Sequence, residues 1–118
     1  MTEGFLTTHV LDTANGCPAQ GISIELYKLG TKRELIVKTI TNSDGRCDQP
    51  LLDKTDFACG KYELVFHVAS YFNLESTDDQ SPPFLDEIVL RFGISERDQH
   101  YHVPLLVSPY SYSTYRGS

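Results

Sequence analysis

Short runs in which apolar and polar residues alternate, each closed by a turn signal, recur along this chain of 118 residues. A period of two is what a strand with one buried face requires, because successive side chains point to opposite sides. Phe5 to Asp12 is the first such run, with Leu6, Thr8 and Val10 on one face and Phe5, Thr7, His9 and Leu11 on the other. Asn15-Gly16 and Pro18 then mark a turn. Ile22 to Leu29 predicts a second strand, with Ile22, Ile24, Leu26 and the stem of Lys28 on a common face. A turn over 30–33 leads to a third, Leu35 to Thr41, and Asn42-Ser43-Asp44-Gly45 is a strong turn signal. Arg46 to Leu52 is interrupted by Pro50 and predicts at most a brief edge strand. Gly60 to Val68, Leu85 to Ile94 and His100 to Val107 read as further strands. Ser108-Pro109 reverses the chain, and Ser111 to Ser118 returns as a last strand of alternating Tyr and Ser. Ala69 to Thr77 predicts a short helix with Phe72 and Leu74 turned inward, followed by a polar loop over 78–83.

About seven or eight short strands at this spacing, with one brief helix, specify an antiparallel β-sandwich. No internal repeat or linker interrupts the chain, so residues 1–118 are expected to form one domain. A chain of this length buries roughly two thirds of its unfolded surface and needs no disulfide or metal staple. The net charge of -6 argues against nucleic acid or an anionic membrane as the main partner. It leaves room for an anionic small ligand at a local basic site. The three cysteines, Cys17, Cys47 and Cys59, lack CxxC spacing and read as reduced small hydrophobes. Cys47 follows Arg46, so a reactive thiol is the alternative there. No apolar run approaches the ~20 residues of a membrane span. The start lacks signal-peptide features and the end lacks a peroxisomal address, so a cytoplasmic location is expected.

Several side chains stand out as chemistry. His9 lies mid-strand, where a structural histidine and a functional one look alike. His100 and His102 are two apart and share a strand face. With His9 they would make a three-histidine zinc set, but no acidic residue accompanies them and the pattern is weak for metal. Arg46, after an Asp-Gly turn, is either a solvated turn charge or a planar fork for a ureide or imide carbonyl and its anion. Tyr115 is either an edge residue or a ring and hydroxyl that close a pocket. His67 has no motif around it and reads as structural.

Four segments, in order along nearly the whole chain, carry a resemblance. They are Leu6-Thr7-Thr8-His9-Val10-Leu11-Asp12 with Gly16-Cys17-Pro18-Ala19, and Thr41-Asn42-Ser43-Asp44-Gly45-Arg46. The others are His102-Val103-Pro104-Leu105-Leu106 with Ser108-Pro109-Tyr110, and the ending Tyr115-Arg116-Gly117-Ser118. The sequence resembles the 5-hydroxyisourate hydrolases, the transthyretin-like enzymes of urate breakdown. The resemblance implies two four-stranded sheets with one short helix after the fifth strand. It implies a homotetramer, a dimer of dimers, with active sites at the dimer–dimer interface. It implies hydrolysis of 5-hydroxyisourate to 2-oxo-4-hydroxy-4-carboxy-5-ureidoimidazoline, with no metal and no cofactor. Residue by residue, it carries catalytic roles to His9, Arg46, His102 and Ser118, and substrate binding to His9, Arg46 and Tyr115. Which histidine is the base stays open. The hormone-carrying transthyretins have Lys, Glu and Thr where this chain has His9, Arg46 and His102, and they lack the Tyr-Arg-Gly-Ser ending. Ser111 is carrier-like, since many of the enzymes have Gly there. A transthyretin-type carrier of a small aromatic ligand is the alternative function.

Overall fold

A computed structural model of the chain describes residues 4–74 and 81–117. Eight strands and one helix are present in this part: β1 (Phe5–Asp12), β2 (Cys17–Pro18), β3 (Ser23–Leu29), β4 (Arg33–Ile40), β5 (Gly60–His67), α1 (Val68–Tyr71), β6 (Glu87–Ile94), β7 (His100–Val107) and β8 (Tyr112–Thr114). They form two four-stranded sheets, ordered β2-β1-β7-β8 and β4-β3-β5-β6. The expected sandwich with one short helix after the fifth strand is therefore the observed architecture.

The core lies between the sheets and uses the faces that the alternation marks. Leu6 and Val10 of β1 and Val103, Leu105 and Val107 of β7 meet Ile24 and Leu26 of β3, Leu64 and Phe66 of β5 and Ile88 of β6. Burying each such side chain stabilises by about 1.5–3 kcal/mol relative to exposure. Thr8 is buried on the same face and donates its hydroxyl to the Val103 carbonyl at 2.7 Å, so its polarity is satisfied. Asp12, also buried, accepts from the amides of Ala14 and Asn15, from Asn15 Nδ2 and from the Tyr71 hydroxyl. That carboxylate fastens the turn after β1 to α1.

The pairing departs from a purely antiparallel sandwich at one place. β1 and β7 run parallel, with Thr7 beside His102 and His9 beside Pro104. The turn residues at 15–18 form the two-residue strand β2 rather than a turn alone. Residues 46–52 form no strand, and touch β1 through isolated bridges at His9–Arg46 and Leu6–Leu52. The helix is shorter than the sequence predicts, because Asn73 takes a left-handed conformation (φ 58) that ends it. Its expected continuation to Thr77 lies outside the described residues.

Candidate active site

The outward face of β1 and β7 carries Thr7 and His9 from one strand and His100 and His102 from the other. The alternation that buries Leu6, Thr8 and Val10 obliges Thr7 and His9 to point away from the core. Because β1 and β7 are parallel and in register, the two outward rows stand side by side. Arg46 joins them from a separate segment. Asn42 Oδ1 accepts from the amides of Asp44 and Arg46, and the Gly45 amide donates to the Asn42 carbonyl. Gly45 adopts φ 75, and a side chain there would collide with the Val10 carbonyl oxygen. The close approach lets Val10 N donate to Gly45 O at 2.8 Å, which docks the turn on β1. Glycine is therefore required before Arg46 if the arginine is to reach the histidine face.

The result is a cleft of about 330 Å³ lined by Thr7, Thr8, Arg46, Cys47, Gln49, His100 and His102. His9 is bridged to Arg46 and donates Nε2–H to the Asp44 carbonyl at 2.8 Å, because a carbonyl can only accept. Its Nε2 is thereby committed to holding the turn. His102 is different. Its Nδ1 is 2.8 Å from Thr7 Oγ1, and among the described residues its Nε2 has no hydrogen-bond partner. Desolvation, followed by the charges of Arg46, His100 and His9, holds its pKa below the ordinary histidine value of 6.5. His102 is therefore a neutral imidazole near pH 7. The Arg46 guanidinium is exposed and makes no ion pair or side-chain hydrogen bond with any described residue. A neutral base nitrogen and an uncommitted guanidinium thus share one cleft.

The tail reaches the site through its backbone. Gly117 N donates to the His102 carbonyl at 2.7 Å. A side chain at Gly117 would lie 2.9 Å from His102 Cδ2, so any larger residue would push the ring aside. Arg116 anchors this segment by stacking over Tyr101, 4.0 Å from the ring centroid, and by donating to Gln99 Oε1 at 2.9 Å. Tyr115 is not brought to the histidines. Its side chain is 61% exposed, and it lines a second cavity with Val89 to Gly93 of β6 and Tyr101 and Val103 of β7. Ser118 lies outside the described residues.

The cleft thus brings Arg46 and His102 together, with His9 bridged to Arg46 but outside the lining, and it adds Thr7 and Gln49, to which the sequence assigned no role, and His100, which the sequence offered only as a metal ligand. The signal for His100 was its two-residue spacing from His102, whereas Thr7 had none beyond its place beside His9. Cys47 lines the cleft, but burial pushes its thiol pKa up, which disfavours the thiolate. His67 is remote from the cleft, between Glu25 and Glu87 on the other sheet at 3.4 and 3.2 Å. Among the described residues no group of three His, Cys, Asp or Glu side chains is placed to hold a metal ion.

Comparison with known proteins agrees with the fold. Residues 6–117 match the HIUase/Transthyretin family. A 5-hydroxyisourate hydrolase of Pseudomonas aeruginosa is 60% identical over 116 residues, which is 98% of this chain and 92% of that protein. Among solved structures, the Klebsiella pneumoniae 5-hydroxyisourate hydrolase superposes with a TM-score of 0.78 at 30% identity, covering 100% of both chains. An (S)-allantoin synthase superposes with a TM-score of 0.88 at 50% identity, and 99% of this chain covers 44% of that one. Sea bream transthyretin in complex with thyroxine superposes with a TM-score of 0.81 at 25% identity, covering 95% of this chain and 93% of that one.

Proposed function

The chain belongs to the HIUase/Transthyretin family, and on that premise we propose that it hydrolyses 5-hydroxyisourate. The observation that carries this reading is the cleft in which His102 Nε2 and the Arg46 guanidinium both stand without a described partner. The relatives that bear the hydrolase name support it.

In this reading His102 is the general base. His9 Nε2 is occupied by the Asp44 carbonyl, whereas His102 Nε2 is bare and its lowered pKa keeps it neutral. Water attacks the C6 carbonyl carbon of the six-membered ring, and His102 Nε2 takes one of its protons. Arg46 holds the ring and stabilises the oxyanion that develops on the C6 oxygen. Collapse of the tetrahedral species breaks C6–N1, and His102 returns its proton to N1. The product is 2-oxo-4-hydroxy-4-carboxy-5-ureidoimidazoline. The step needs neither a covalent intermediate nor a cofactor. His9 positions Arg46 through the Asp44 turn and borders the substrate. Tyr115 and Ser118 close the site, which for Tyr115 means turning away from the second cavity.

The same reading includes a homotetramer, a dimer of dimers, with the histidine face of each protomer at the dimer–dimer interface. It places one domain, residues 1–118, in the cytoplasm, where the three free thiols suit a reducing environment. The described part has no helix long and apolar enough to cross a membrane.

A carrier of a small aromatic ligand is disfavoured by the same cleft, since an apolar guest leaves the donors of Arg46 unpaired at a cost of about 1–3 kcal/mol per buried group. Carbon-13 NMR of the product formed from labelled substrate tests the proposal. Prompt appearance of the ureidoimidazoline is expected. Tight binding of an aromatic ligand with no change in product formation would establish the carrier instead.

A further inference from the structure

Thr7 stands between two imidazoles. Its Oγ1 lies 2.8 Å from His102 Nδ1 and 2.7 Å from His100 Nε2. The parallel register creates this arrangement by setting Thr7 beside His102 and Phe5 beside His100. The Phe5 ring meets His100 edge-on at 6.4 Å and limits how that imidazole turns. A threonine hydroxyl has one proton to donate, so it cannot donate to both rings. At least one ring must present an N–H to it. A neutral His102 that offers a bare Nε2 to the cleft carries its proton on Nδ1. That proton is then donated to Thr7 Oγ1, and the Thr7 hydroxyl is free to donate onward to His100 Nε2.

We propose that Thr7 is a positioning residue, the middle of a directional relay from His102 Nδ1–H through Thr7 Oγ1–H to His100 Nε2, which holds His102 in the tautomer that bares Nε2 to the cleft. The inference rests on the hydrolase reading for its consequence in catalysis, though the tautomer can be observed apart from it. Thr7 acts only through His102. When His102 Nε2 takes a proton, Nδ1–H stays where it is, and its bond to Thr7 becomes charge-assisted. His100 Nε2 is the accepting end of the relay. Its ring lies 6.0 Å from that of His102, so a second positive charge there would oppose protonation of the base. The other charged groups facing His102 are Arg46 and His9, and neither reaches Nδ1. Without the relay the neutral ring takes either tautomer, and the fraction competent as a base falls.

Nitrogen-15 NMR of histidine-labelled protein without substrate reads the tautomer directly. In the unmodified protein, above the pKa of His102, the proton is expected on Nδ1. Thr7→Val keeps the shape and removes the hydroxyl, and should lose that preference; Thr7→Ser should keep it. In kinetics, Thr7→Val should lower kcat about 10–100-fold with KM little changed, by analogy with the loss seen when the hydrogen-bond partner behind a metal-bound histidine is removed. Its acid limb should move to lower pH, because the charged ring has lost its acceptor. Thr7→Ser should restore both. A proton on Nε2 of His102 in the unmodified protein overturns the proposal, as does a Thr7→Val protein with normal kcat and an unmoved pH profile. The unmodified protein alone decides the tautomer if Thr7→Val fails to fold. A protein with the expected tautomer but no hydrolysis contradicts the hydrolase reading and not the relay.

Discussion

Gly117 lies directly against the ring of His102: its amide donates to the His102 carbonyl at 2.7 Å, and a methyl group on its Cα would sit 2.9 Å from His102 Cδ2. The two residues are joined across β7 by the tail that Arg116 pins to Tyr101. Gly117→Ala should therefore displace the imidazole while leaving the sandwich folded, since the contact is peripheral to the core. Misplacing a reactive group by about 1 Å can cost ~100-fold. A drop in kcat/KM of at least about tenfold with unchanged circular dichroism is expected. Normal activity would show that the tail has no hold on His102.

Arg46→Ala should lower kcat/KM by at least about tenfold without loss of fold, because the side chain is exposed and unpaired among the described residues. Lys28→Ala, outside the cleft, should have little effect. Arg46→Lys should recover only part of the activity, since an ammonium cannot make a bidentate contact. Steady-state kinetics on the three variants, with thermal unfolding as the control for fold, checks this.

The pH dependence has a definite sign. Desolvation and the nearby charges lower the His102 pKa from 6.5, and only the neutral ring accepts a proton from water. The acid limb of kcat/KM should therefore fall below pH ~6.5. Folding is linked in the same direction. As pH drops, the unfolded chain takes up this proton before the folded protein does. The stability contributed by His102 is present above its unfolded pKa and is lost as pH falls through the lowered folded value. A pH–rate profile with an acid limb at or above 6.5 would contradict the environment described for His102.

Cys47 lines the cleft beside Arg46, yet burial raises its thiol pKa. Cys47→Ser should accordingly keep activity within a few-fold of the unmodified protein, measured on freshly reduced samples. A folded but inactive Cys47→Ser would reinstate nucleophilic catalysis by the thiol.

What could be read from the residues alone follows from how local each signal is. The period-two alternation of Phe5–Asp12 separated Leu6 and Val10 from His9 onto opposite faces, because face is a local property of a strand, but which face meets the core depends on the second sheet. The parallel pairing of β1 with β7 was not legible. It joins segments more than ninety residues apart, and nothing local to either strand records it. For the same reason the contact of Thr7 with His102 was invisible, although both residues stand inside recognisable motifs. The Asn42–Gly45 turn was plain from its residue types, but not that the Gly45 carbonyl would dock on Val10 and carry Arg46 to the histidines. In the tail, Tyr115 drew attention by type, whereas the anchoring contacts belong to Arg116 and Gly117, whose value depends on Tyr101 and His102 across the strand.

Hydrolysis of 5-hydroxyisourate in the His102–Arg46 cleft can be followed through the ultraviolet absorbance of that compound, generated in situ by urate oxidase, with and without catalytic amounts of this protein. Decay is expected to accelerate in proportion to protein concentration. Decay at the spontaneous rate, whatever the amount of folded protein added, would contradict it.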